Sequence, residues 1–66
     1  MIIKKNVAIK QPELGKTIRD LRLLFGLTQE QFAAKLGVTF STINRWENGR
    51  SKPSPLAMKK IEEMLI

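Results

Sequence analysis

Residues 29–47 read QEQFAAKLGVTFSTINRWE, and their pattern of apolar and small residues specifies the architecture. Phe32, Ala33 and Leu36 recur at helical spacing, Gly37-Val38-Thr39 interrupts them, and Ile43 and Trp46 resume the pattern three residues apart. Two helices joined by so short a turn must cross at a fixed angle, and the stretch supplies what that crossing needs. Ala33 is small where the two helices come closest, and Gly37 permits the backbone geometry of the turn. Thr28 and Gln31 are spaced as a capping box for the first of these helices. Thr39 can cap the second, with Val38 and Ile43 at the staple positions that set its entry angle. Any one of these features is common. Their agreement in register predicts a helix-turn-helix.

Working outward, Pro12 suits an early helical position, where its missing N–H is not needed. Leu14, Ile18, Leu21 and Phe25 then form one apolar stripe and leave Lys16, Arg19 and Asp20 outside, before Gly26 closes the helix. After the central motif, Asn48-Gly49 ends the third helix and Pro53 prevents its return. Ser54-Pro55 starts a fourth, in which Met58, Ile61 and Leu65 line one face and which is expected to run to the end of the chain. Residues 1–11 form an arm whose alternation is not cleanly apolar on either face, so strand and disorder both remain open. The expected organisation is an arm over 1–11 and one all-α domain of four helices over 12–66.

With 66 residues there is room for one small domain. The absence of Cys and His removes disulfides, Cys/His metal sites, thiol nucleophiles and imidazole bases, so neither a metal nor a cofactor is expected. The six acidic residues do not form a paired-carboxylate site: Glu62 and Glu63 are adjacent and diverge on a helix, and Glu13, Asp20 and Glu30 are scattered among cations. An enzyme is therefore not expected. No apolar run exceeds three residues, well short of the roughly 20 that a membrane helix needs. Lys4 and Lys5 break up the opening residues, so no secretory leader is expected and the protein should be cytoplasmic. Twelve Lys and Arg against six Asp and Glu give a net charge of +6, which favours an acidic partner, nucleic acid first.

The run LRLLFGLTQEQFAAKLGVTFSTINRWENGRSKPS resembles the Cro/C1-type, or XRE, helix-turn-helix family of phage and bacterial regulators. The most specific parts are GLTQEQFAAKLGV, STINRWENG and the proline beyond the third helix. The resemblance implies a compact lambda-repressor-like fold and a transcriptional regulator, expected here to be a repressor. It also implies binding of double-stranded DNA, usually as a homodimer on an inverted-repeat operator. Many members use a fifth helix in dimerisation, whereas here the pattern stops after four, which leaves the dimer seam open.

The third helix, residues 40–48, is then the element expected in the major groove. Its outward side chains are Phe40, Ser41, Thr42, Asn44 and Arg45. Arg45 can donate two hydrogen bonds to guanine, Asn44 can pair with adenine if it reaches, and Phe40 can meet a thymine methyl. Ser41 can bond a base edge or a phosphate. Ordinary solvated helix residues are the alternative for all five.

Gln29 stands at the start of the second helix, where side chain and backbone N–H groups can meet a phosphate, and the family uses a Gln at the matching place in this way. Thr39 can touch the DNA backbone besides capping its helix. Asn48, Arg50 and Lys52 follow the recognition helix and are expected along the sugar-phosphate chain, where contacts position without specifying. By the same resemblance, Arg22 and Glu47 form a largely buried ion pair between the first and third helices. Two rival readings keep the fold. One is an antitoxin that represses its own operon and holds a toxin through Ile2, Ile3, Val7, Ile9 or Met64-Leu65-Ile66. The other is a protein-interaction adaptor, against which the polar Ser41, Asn44 and Arg45 argue.

Overall fold

The computed structural model describes residues 11–65, and these form four helices and no strand. They are α1 (Gln11–Leu24), α2 (Gln29–Leu36), α3 (Phe40–Glu47) and α4 (Pro55–Glu63). The expectations for the arm, and for Ile66, lie outside the described residues. Helix α1 opens at Gln11, one residue before the boundary expected from Pro12.

Each helix boundary has a local cause. Thr28 accepts a hydrogen bond from the Gln31 backbone N–H at 3.1 Å, and the Gln31 side chain accepts from the Thr28 N–H at 2.9 Å. This is the reciprocal capping box. Thr39 and Ser54 cap α3 and α4 through the N–H groups of Thr42 and Ala57. At the other end of α2, Gly37 has φ 73°, a left-handed backbone that a side chain would strain. There the Val38 N–H reaches back to the Ala33 carbonyl at 3.0 Å. The same bond across five residues closes α1, from Leu27 to Arg22 at 3.1 Å, and α3, from Arg50 to Arg45 at 2.9 Å.

The core is Ile18, Phe32, Ala33, Leu36, Ile43, Trp46, Ala57 and Ile61, with Leu14, Leu21, Phe25, Leu27, Val38, Met58 and Met64 packed around it. Burial of each large member contributes about 1.5–3 kcal/mol, so these few side chains carry most of what opposes chain entropy. Helix α3 lies at the centre, packed against both α1 and α2, and α4 closes the far side against α2. Lys60 of α4 donates to the Leu36 carbonyl at 3.4 Å, placing a cation at the negative end of α2. Helix α4 ends at Glu63 rather than continuing to the end of the chain. Leu65 is exposed, so no core contact stabilises a further turn. Among the described residues, no helix is long and apolar enough to cross a membrane.

Candidate nucleic-acid interface

Helix α3 is divided lengthwise. Ile43 and Trp46 are buried, while Phe40, Ser41, Asn44 and Arg45 are exposed and Thr42 is half-buried. Spacings of three and four turn the same eight residues both inward and outward. Phe40 is 49% exposed at the first position of the helix. Arg45 stands on the exposed side in the last turn of α3, and Asn48, Arg50 and Lys52 follow it, all exposed. Of the sequence-predicted base-contact set, Phe40, Ser41, Asn44 and Arg45 thus share the exposed side of one short helix, with its cationic continuation just beyond, while Thr42 turns partly inward.

Two hydroxyl groups of that set are already engaged. Thr39 Oγ1 lies 2.8 Å from Thr42 Oγ1 and 3.2 Å from Ser41 Oγ, and it also accepts from the Thr42 N–H. Thr42 is therefore tied into the cap. Ser41, more exposed and at the longer distance, is the freer of the two.

The inward side is held by a charge pair. Arg22 Nε and Glu47 Oε2 are 2.6 Å apart, and Arg22 Nη2 reaches Glu47 Oε1 at 3.2 Å. The two side chains retain only 11% and 5% of their exposure. Arg22 Nη1 also donates to the Leu27 carbonyl at 2.9 Å, so one guanidinium joins α1, the turn after it and α3. A two-pronged pair of this kind fixes direction as well as distance.

A neighbouring residue completes the seam, and the sequence reading passed over it. Gly15 is buried in α1, and a Cβ there would stand 2.6 Å from the Trp46 carbonyl oxygen and 2.7 Å from that of Glu47. Helix α1 approaches the end of α3 closely enough that only hydrogen fits. The one sequence signal was an isolated glycine inside a helical pattern, which costs about 1 kcal/mol relative to alanine unless packing requires it.

Gln29 takes an unexpected direction. Its Nε2 donates to Glu47 Oε1 at 3.0 Å and lies 3.5 Å from Asn44 Oδ1. The side chain is half-buried against α3 rather than extended from the start of α2. The backbone N–H groups of Gln29 and Glu30 remain without a protein partner among the described residues, since the Thr28 hydroxyl takes only the N–H of Gln31.

A fold of this geometry, with an exposed polar face on its second motif helix, defines a helix-turn-helix module. A helix-turn-helix family model matches residues 18–65 of this chain. An uncharacterized HTH-type transcriptional regulator of Methanothermobacter thermautotrophicus is 44% identical over 48 residues, spanning 73% of this chain and 70% of its own. One from Archaeoglobus fulgidus is 38% identical over 52 residues, which is 79% of this chain but 23% of that protein. One from Sinorhizobium medicae is 31% identical over 52 residues, again 79% of this chain and 37% of the relative. The chain thus spans well under half the length of the last two. It belongs to the Cro/C1-type helix-turn-helix family and has the all-α, lambda-repressor-like fold.

Proposed function

We propose that residues 12–66 bind double-stranded DNA in a sequence-specific manner and that the protein acts on transcription as a repressor, by occupying an operator. The observation that carries this reading is the division of α3. One side is locked into the core by Ile43, Trp46 and the Arg22–Glu47 pair, and the other offers Phe40, Ser41, Asn44 and Arg45 to the outside. A helix so held can enter the major groove without reorganising, and Arg45 is the side chain suited to a guanine edge. The free N–H groups at the start of α2 suit a backbone phosphate, with Thr39 and Asn48 flanking the groove and Arg50 and Lys52 following the strand. In this arrangement Gln29 meets the phosphate through its main chain, its side-chain hydrogens being directed at Glu47 and Asn44.

A homodimer on an inverted repeat is the expected working form. Exposed Leu56 in the first turn of α4 and Leu65 two residues beyond its end are apolar side chains that such an association could cover, in a homodimer or against a toxin in the antitoxin reading. The place of work would be the cytoplasm.

Selection from randomised duplex DNA at roughly 0.15 M salt tests this function. Enrichment of an inverted repeat, with half-sites about one helical turn apart, is the expected result. Binding without enrichment that fades as salt rises would reduce the +6 charge to non-specific attraction and overturn the proposal.

A further inference from the structure

We propose that Phe40 makes α3 a reader of the pyrimidine 5-methyl group, gaining the same contact from thymine and from 5-methylcytosine. Binding then responds to cytosine methylation at one position of each half-site. The inference rests on the DNA-reading function proposed above and specifies one position within it.

Helix geometry aims the ring. Phe40 is the first residue of α3, and Thr39 fixes that start by accepting the Thr42 N–H on its hydroxyl at 3.2 Å. Side chains in a helix lean toward its N-terminus, so the Phe40 ring covers the leading end of α3. The N-terminal residues of a recognition helix are the ones that meet base edges in the major groove. At 49% exposure, much of the ring surface is open to such a contact.

The neighbours of Phe40 are of another kind. Thr39 Oγ1 lies 2.8 Å from Thr42 Oγ1 and 3.2 Å from Ser41 Oγ, so the hydroxyl groups beside the ring are engaged with one another. Asn44 and Arg45 stand about one turn farther along. Phe40 is the one apolar side chain among the exposed residues of α3.

The consequence follows from the base edges. A phenyl ring neither donates nor accepts a conventional hydrogen bond, so it does not sort bases by their donors and acceptors. The apolar feature of the major groove is the C5 methyl group of thymine, which a Phe side chain meets favourably. Cytosine carries hydrogen at that carbon, and methylation puts the same group at the same place. A ring that responds to the methyl alone groups 5-methylcytosine with thymine, and uracil with cytosine.

The test uses the selected operator in two paired comparisons, each of which changes one methyl group and nothing else. Replacing each thymine in turn by uracil should find one position per half-site where affinity falls about fourfold, the effect of burying one methyl-sized group. With cytosine placed at that position, 5-methylcytosine should raise affinity by a similar factor. In Phe40→Ala both effects should shrink to near one, while the preference at the Arg45 position stays. Phe40→Gln serves in its place if circular dichroism shows that the alanine variant has lost helix. Three results would each overturn the inference: no thymine sensitive to loss of its methyl, 5-methylcytosine no better than cytosine where thymine surpasses uracil, or methyl effects that persist without the ring. Those outcomes leave an enriched operator standing. Failure to enrich any sequence would instead overturn the DNA-reading function, and the inference with it.

Discussion

The inward and outward sides of α3 are built from the same eight residues and obey opposite rules. Inward, Ile43 and Trp46 are buried, Glu47 is caught between Arg22 and Gln29, and the backbone carbonyls of Trp46 and Glu47 touch the hydrogen side of Gly15. Every group there has its partner, and a change to one member displaces another. Outward, Phe40 and Arg45 have no hydrogen bond from their side chains to the described residues, and Asn44 has a single long one. A change on that side should be structurally cheap. Rigidity and recognition are divided across the width of one helix.

The sharpest way to break this contrast is on the inward side. Glu47→Ala leaves the Arg22 guanidinium buried without its counter-charge, which should cost about 3–5 kcal/mol. The whole stability of a chain this size is of the order of 3–10 kcal/mol, so urea unfolding should find the variant largely or wholly unfolded. Gly15→Ala decides between propensity and packing. Alanine gains about 1 kcal/mol in an open helix, yet its Cβ would meet two backbone oxygens at 2.6 and 2.7 Å. Packing should win by about 1–3 kcal/mol, and calorimetry should show a lower Tm; a higher Tm would contradict the close approach of α1 to α3. Thr39→Ala removes the α3 cap and should cost about 1 kcal/mol in the same unfolding assay. The smallest effect is expected outside both faces. Lys52→Ala should leave stability unchanged, weaken DNA binding equally on all sequences, and reduce the salt slope of binding by about one.

The helices were legible because their signals are local. Thr28 with Gln31, Thr39, Gly37 and Ser54-Pro55 act within one turn of themselves, and the spacing of Phe32, Leu36, Ile43 and Trp46 states which side turns in. The end of α4 was not legible, since the apolar pattern continues through Leu65 while the core that would hold it does not. Gly15 was missed for a related reason: its partners are carbonyls some 30 residues away, and nothing in the residues around it announces their approach. At the candidate interface, residue types and helical phase were enough to group Phe40, Ser41, Asn44 and Arg45. The direction of the Gln29 amide was not readable, because it depends on a carboxylate that α3 brings from 18 residues farther along. Long-range polarity of this kind needs coordinates.

As a recognition helix, α3 must read bases with its outward side. The most direct measurement is the affinity of Arg45→Ala for the selected operator and for every single-base variant of it, beside the wild-type protein. A loss of about 1–3 kcal/mol, with discrimination relaxed at one base pair and kept at the others, is the predicted result. An equal loss on all duplexes would make Arg45 a phosphate contact and contradict the reading of α3 as the recognition helix.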